Sequence, residues 1–319
     1  MTKPLIQIKN LKKYFSYKGQ TLRAVDDVSF DIFPQETLGL VGESGCGKTA
    51  LARALMRLYE PTSGNILFKG ESILNYKGKA IKSLRHDMQY IFQDPYASLN
   101  PRMTAGEIIA EPLNIHNVLN PSYREKRVQE LLELVGLRPE YLRRFPHEFS
   151  GGQRQRIGIA RALALNPRLI VCDEPIAALD VSIQAQIVNL LKYLQEEMGL
   201  TYLFISHDLA MVKYLSTRVA VMYLGHLMEL APSHDLYEKP LHPYTQGLLS
   251  AIPIPDPYIE KNRTRILLTG EVPSPITPPK GCVFCTRCPK AEKICFEKRP
   301  TLREISPGHQ AACHLITPS

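Results

Sequence analysis

Over 319 residues the sequence contains no uninterrupted apolar run of transmembrane length, no internal repeat and no sustained heptad array. The first absence excludes a membrane-spanning helix, which needs about 20 consecutive apolar residues. The second leaves one copy of each functional unit per chain rather than a tandem array. The third excludes a long coiled coil. No secretory leader is expected either, because Met1-Thr2-Lys3-Pro4 passes straight into the apolar/polar alternation of Leu5-Ile6-Gln7-Ile8. The expectation is an intracellular protein that does not span a membrane, with attachment to a membrane surface left open. Cysteine is scarce until the end, with two of seven before residue 282.

What remains is ordinary for a soluble globular chain: 44% hydrophobic and 22% charged residues, and enough length for a large core and more than one domain. The net charge of +8 is unevenly spread. Residues 256–319 hold ten Lys or Arg against six Asp or Glu, which is half of the excess. A generally solvated basic surface and a basic tail beside anionic lipid or a negatively charged cofactor both fit this distribution. Charge alone does not point to nucleic acid.

Two glycine-rich sequences about a hundred residues apart carry the chemistry. Gly42-Glu43-Ser44-Gly45-Cys46-Gly47-Lys48-Thr49 matches G-x-x-x-x-G-K-S/T, a loop whose backbone N–H groups and lysine hold nucleotide phosphates. It follows an apolar strand, residues 37–41, and opens a helix of good formers from Ala50 to Met56. Gly45 and Gly47 let the backbone approach polyphosphate, Lys48 reaches the β- and γ-phosphates, and Thr49 offers a hydroxyl to Mg²⁺. The second sequence is Ser150-Gly151-Gly152-Gln153, at the head of a helical run to Ala164. Its N–H groups and helix terminus form an anion site, although a plain N-cap accounts for the same residues.

Residues 168–173 and 201–205 read as fully buried strands with a helix over 182–197 between them, a βαβ unit that implies a parallel sheet. Asp173, ending the first of these strands, suits a Mg²⁺-associated carboxylate, and Glu174 suits a general base for water. His207 after the next strand suits a γ-phosphate contact, and Gln93 at another strand end would reach Mg²⁺ and the water through its amide. From about residue 100 to 165 strand signal is weak. Val128, Leu131, Leu132 and Val135 form an i, i+3, i+4, i+7 stripe ending at Gly136, so a mostly helical insert is expected. Pro253, Pro255, Pro257, Pro273, Pro275, Pro278 and Pro279 fall within 27 residues and predict a separate, loop-rich appendage.

Together these motifs resemble the ATP-binding subunits of ABC transporters over residues 5–255. The resemblance implies an α/β fold with a P-loop NTPase core, a β subdomain and an inserted helical subdomain at about 100–165. Residues 1–255 would be the ATP-binding domain and 256–319 a small Cys/Pro-rich extension. In that family residues 42–49 correspond to Walker A, 169–174 to Walker B, and 150–153 to the signature. Gln93 would be the Q-loop residue, Ala178-Leu179-Asp180 the D-loop and His207 the switch histidine. An aromatic residue near the N-terminus stacks on adenine. Spacing favours Phe15, with Tyr14 and Tyr17 as neighbours. Phe149 departs from the leucine common before Ser-Gly-Gly-Gln, a conservative apolar exchange. The resemblance further implies that the signature caps ATP held by a second ATPase subunit, so that two subunits sandwich two nucleotides.

Cys282, Cys285, Cys288, Cys295 and Cys313 fall in the last 38 residues. Disulfides are not expected in a cytosolic ATPase, and paired zinc knuckles are only half present. Spacing alone nominates Cys282, Cys285 and Cys288, a ferredoxin-like run. His242-Pro243-Tyr244-Thr245, Gly270-Glu271-Val272-Pro273-Ser274-Pro275 and the stretch from Gly281 to Cys288 resemble the oligopeptide/dipeptide importer subfamily. That resemblance implies a 4Fe–4S cluster on Cys282, Cys288, Cys295 and Cys313, with Cys285 extra. It also implies ATP and Mg²⁺ as ligands, a related second ATPase, two transmembrane permease subunits and, indirectly, an extracytoplasmic peptide-binding protein. The location implied is the cytoplasmic face of a bacterial cell membrane, without nucleic acid as partner. A soluble ABC ATPase acting on ribosomes or DNA is the alternative. One cassette per chain and the missing heptads weigh against it.

Overall fold

The computed structural model describes residues 3–118, 120–253, 256, 258 and 265–317. Met1, Thr2, Pro255 and Pro257, used above for the chain start and the proline run, lie outside the described residues. In chain order the strands are β1 Ile6–Tyr17, β2 Gln20–Ile32, β3 Thr37–Val41, β4 Ser63–Phe68, β5 Glu71–Ser72, β6 Met88–Ile91, β7 Leu169–Asp173, β8 Thr201–Ile205, β9 Arg218–Tyr223, β10 His226–Pro232, β11 Arg303–Ser306 and β12 His309–Ala311. The helices are α1 Lys48–Leu55, α2 Lys79–Asp87, α3 Ala105–Ile115, α4 Pro121–Leu134, α5 Gly151–Leu163, α6 Val181–Met198, α7 Leu209–Leu215, α8 Ser233–Glu238, α9 Pro243–Ser250 and α10 Lys293–Glu297. No helix among the described residues is long and apolar enough to cross a membrane.

The chain divides into two compact units. The first comprises Met1–Ile32, Thr37–Leu74 and His207–Ser319. It holds an antiparallel sheet in the order β2-β1-β4-β5 and a second run of strands in the order β11-β12-β10-β9-β3. Strand β3 pairs with β9 in parallel and every residue of it is buried, which is why it reads as a continuous apolar run rather than an alternation. Strand β1 alternates instead: Ile6 and Ile8 are buried while Gln7 between them is partly exposed.

Residues 303–311, which follow the proline run, join the sheet of the first unit: strand β12 pairs antiparallel with β10, and β11 pairs with β12. The buried carboxylate of Glu229 on β10 anchors this edge: His309 Nε2 lies 2.6 Å from it, and the N–H groups of Leu241 and His242 donate to it. A fully buried carboxylate requires partners, and the terminal segment supplies one of them.

The second unit comprises Phe33–Glu36 and Asn75–Ser206. Its strands run β8-β7-β6, all parallel, with α6 connecting β7 to β8 as the βαβ reading required. Helices α3, α4 and α5 form the helical part, and Val128, Leu131, Leu132 and Val135 are buried as the stripe predicted. Helix α4 closes at Gly136, whose φ of 74° is the left-handed conformation that favours glycine after a helix. Leucine and isoleucine burial at this density, at about 1.5–3 kcal/mol per side chain, is the main term holding the insert together.

Candidate functional site

In the first unit, β3 delivers the chain into the turn of residues 42–47. Gly42 has φ 152° and a Cβ there would lie 2.1 Å from the Met222 carbonyl oxygen; Gly47 has φ 107° and would meet that of Ala24 at 2.0 Å. Neither position admits a side chain. The Gly47 carbonyl accepts from the Leu51 N–H at 2.9 Å, so α1 starts at Lys48, two residues before the apolar pattern suggested. Lys48 and Thr49 are thereby first-turn residues, beside the positive end of the helix dipole. Lys48 is 5% exposed and its Nζ donates to the carbonyls of Gly42 (2.8 Å) and Glu43 (3.1 Å). The ammonium thus sits inside the turn that the glycines create. Burial pushes the Cys46 thiol above its ordinary pKa, which makes it an inert packing group.

Of the three aromatics near the N-terminus, Tyr14 is committed: its hydroxyl donates to Asp26 over 2.6 Å and burial pushes its pKa up to about 12. Phe15 packs edge-on against Tyr59 with ring centroids 5.3 Å apart, and Lys13 lies 4.7 Å over its ring. Tyr17 is half exposed. His207 is exposed and follows β8 directly; beside it Asp208 caps α7 by accepting from Ala210 and Met211.

In the second unit, the parallel register of β6, β7 and β8 sets two carboxylates. Asp173 is 2% exposed and accepts from the Tyr90 hydroxyl over 2.5 Å. Glu174 follows in a left-handed conformation, φ 47°, which non-glycine residues seldom adopt, with its N–H donating to the Ile205 carbonyl at 3.0 Å. Gln93 Nε2 donates to Glu174 Oε2 at 2.9 Å. The Q-loop candidate and the base candidate are therefore in direct contact. Two arginines of α5 hold the loop that carries Gln93. Arg154 lies 3.7 Å over the Tyr96 ring, and Arg161 donates to the Ser98 carbonyl at 2.7 Å.

Ser150 is the N-cap of α5 and forms a complete capping box with Gln153, its hydroxyl accepting from the Gln153 N–H. Gly152 is not interchangeable, since a Cβ would lie 2.6 Å from the Ile183 side chain. Gly151 faces Leu179 of the D-loop candidate in the same way, at 3.3 Å. Phe149 is 3% exposed and packs edge-on against Tyr141, so the larger ring is accommodated. Asp180 is exposed at the head of α6, and Gln184 one turn later donates to the Ile176 and Leu179 carbonyls.

The terminal cysteines lie in the first unit. The Cys282 N–H donates to the Cys295 carbonyl at 2.7 Å, and that of Cys285 to the Cys282 carbonyl at 3.1 Å. Burial raises the Cys282 thiol to about 12 and pushes Cys285, Cys288 and Cys313 up as well. Among the described residues no group of three or more His, Cys, Asp or Glu is arranged to hold a metal ion. The side chains as placed therefore do not form a ready 4Fe–4S ligand set.

Some functional contacts were missed in the sequence. Tyr90 on Asp173 follows only from the β6–β7 register. Arg154 and Arg161 sit seven residues apart on one helix, a spacing that places both on one face. Arg287 pairs with Glu43 of the phosphate-loop candidate across 244 residues, and no local signal announces it.

Comparison with known proteins finds relatives along nearly the whole chain. Residues 25–177 match the family described as "ABC transporter", and residues 228–295 match "Oligopeptide/dipeptide transporter, C-terminal region". The oligopeptide transport ATP-binding protein AppF of Bacillus subtilis is 56% identical, with 98% of each chain covered. The oligopeptide transport ATP-binding protein OppF of Haemophilus influenzae is 56% identical over 96% of this chain and 93% of that one. A dimeric post-hydrolysis structure of the ATP-binding cassette MJ0796 with ADP and Pi superposes with a TM-score of 0.66 at 29% identity, covering 72% of this chain and 98% of that chain.

Proposed function

The chain belongs to the ABC transporter ATP-binding proteins, in the oligopeptide/dipeptide branch, and from that membership we propose that it binds and hydrolyses ATP to energise peptide import. The observation that carries the hydrolytic part is the contact between Gln93 and Glu174 at the end of a strand whose Asp173 is fixed by Tyr90. The peptide part is supported by the names of the relatives and by the match over residues 228–295.

In this reading the N–H groups of residues 42–49 and Lys48 hold the phosphates, and Phe15 stacks on the adenine. Thr49, Asp173 and the Gln93 amide oxygen are hard oxygen donors of the kind Mg²⁺ takes, and the Gln93 amide nitrogen is already spent on Glu174. When bound, Mg²⁺ neutralises charge on the phosphates. Glu174 accepts a proton from the attacking water, oriented by Gln93, while His207 contacts the γ-phosphate. Ser150, Gly151, Gly152 and Gln153, with Asp180 beside them, serve the nucleotide of a second ATPase subunit, related but different. ATP favours the closed pair and hydrolysis releases it. Two transmembrane permease subunits receive that motion at the cytoplasmic face of the bacterial cell membrane, and an extracytoplasmic binding protein presents the peptide.

A 4Fe–4S cluster on Cys282, Cys288, Cys295 and Cys313 stands apart from this mechanism. What supports it is the resemblance of the terminal segment to the oligopeptide/dipeptide importer subfamily, together with five thiols in one short segment. Iron and sulfide analysis of anaerobically purified protein tests it. For the main reading, the test is identification of membrane proteins that co-purify from detergent-solubilised cells. Permease subunits are expected; ribosomal or DNA-associated material instead would overturn the transport assignment.

A further inference from the structure

The phosphate-loop candidate is held from outside by the terminal extension, through one residue. Both terminal guanidinium nitrogens of Arg287 reach the Glu43 carboxylate, Nη1 to Oε2 at 2.7 Å and Nη2 to Oε1 at 3.0 Å, the parallel two-bond geometry that only arginine provides. The arginine side chain is buried, at 7% exposure, and that of Glu43 is a quarter exposed. Nη1 also lies 3.4 Å from the Tyr223 hydroxyl, while Nε finds no protein partner among the described residues. The Glu43 carboxylate is thus the main partner of a buried charge.

The backbone of Glu43 is held independently, its N–H donating to the Tyr244 hydroxyl at 2.9 Å. Tyr244 and Tyr223 are fully buried, and both pack on Phe284 at 5.3 Å between ring centroids. Phe284 lies between Cys282 and Cys285, and its carbonyl accepts the Arg287 N–H at 3.0 Å to close the turn. The cysteine-bearing turn therefore grips the side chain of the second residue of the loop through Arg287 and packs, through Phe284, against the tyrosine that holds its backbone. Lys48 donates to the carbonyl of that same residue, so the position of Glu43 bears directly on the position of the ammonium.

We propose that Arg287 is a positioning residue for ATP, acting through Glu43 to fix the phosphate loop before nucleotide arrives. A loop already in its bound shape spends less ordering entropy on binding, so the contribution appears in nucleotide affinity. The inference rests on residues 42–49 being the phosphate loop.

The test measures binding of a fluorescent ATP analogue, and ATPase KM and kcat, for the full-length chain purified with its membrane subunits. The variants are Arg287→Met, Arg287→Lys, Glu43→Gln and the Arg287→Met/Glu43→Gln double. Loss of a charged hydrogen-bonded pair corresponds to about tenfold weaker nucleotide binding. That loss is expected in KM rather than kcat, with Arg287→Lys intermediate and the double variant no worse than the worse single. Affinity within twofold of the parent in folded Arg287→Met, or single effects that multiply in the double, overturns the proposal. If Arg287→Met does not fold, Glu43→Gln alone decides on the same criteria, because its side chain lies nearer solvent. Lys48→Ala separates the two levels. If it abolishes binding while Arg287→Met does nothing, the loop assignment stands and the clamp falls; if it binds ATP normally, the loop assignment itself falls.

Discussion

Gln93 donates its amide N–H to the carboxylate of Glu174 over 2.9 Å, joining the residue at the end of β6 to the one at the end of β7. The bond fixes the direction of the Glu174 carboxylate, the geometric property that a general base for water requires. It also ties the base candidate to the loop that follows Gln93. Arg154 and Arg161 tie that loop to α5, the helix that Ser150 caps.

Glu174→Gln therefore removes the base while keeping the shape of the side chain. Steady-state ATPase assays should show kcat lower by about 10²–10⁴-fold, with ATP binding retained. Gln93→Ala should lower kcat less, because the base survives and only its orientation is lost. Wild-type turnover in Glu174→Gln would remove this residue from the chemistry.

Gly152→Val places a branched side chain where even a Cβ comes within 2.6 Å of Ile183. Overpacking of this kind costs about 1–3 kcal/mol, read by urea denaturation, and shifts the head of α5 against α6. Pairing it with Ile183→Ala should recover part of the loss. Full recovery of ATPase activity together with stability would show that the glycine serves only packing.

Two buried histidines set an acid limit. Burial pushes His242 down to about 4, and burial with the nearby Arg299 pushes His226 down to about 4 as well. Both are neutral in the fold, so the unfolded chain binds more protons between about pH 4 and its ordinary value of 6.5. Their contribution is complete above pH 6.5 and falls away as pH drops towards 4, each by at most about 1.4 kcal/mol per pH unit. His242 Nδ1 accepts from the Tyr244 N–H at 3.0 Å, so His242→Asn keeps an acceptor and should flatten the fall in denaturation midpoint over this range. An unchanged slope would assign the acid sensitivity elsewhere.

The strand, loop and helix of the phosphate-loop candidate were legible because each leaves a local mark: the apolar run of β3, the glycines and Lys48, and the formers of α1. The helix start was read two residues late because Lys48 and Thr49 lie outside the apolar pattern that defines α1. The same applies to β7, α6 and β8, where buried strands flank an amphipathic helix. The pairing of residues 303–311 with the sheet of the first unit was not legible. Strands β11 and β12 are too short and polar to show a period, and proline density signals what cannot form rather than where the chain goes. His309 reaches Glu229 and Arg287 reaches Glu43 only once the sheet is built. A contact between residues 80 or 244 positions apart has no local pattern to read.

The central claim is that ATP hydrolysis by this chain drives peptide uptake. The complex purified with its co-purifying membrane subunits, reconstituted in vesicles with the extravesicular binding protein and ATP inside, gives the direct measurement: accumulation of a labelled oligopeptide. Accumulation is expected only with ATP and the parent chain, and should vanish with Glu174→Gln in proportion to ATPase loss. Uptake that persists undiminished with Glu174→Gln, or ATP hydrolysis that neither requires nor responds to peptide and binding protein while no peptide accumulates, would contradict it.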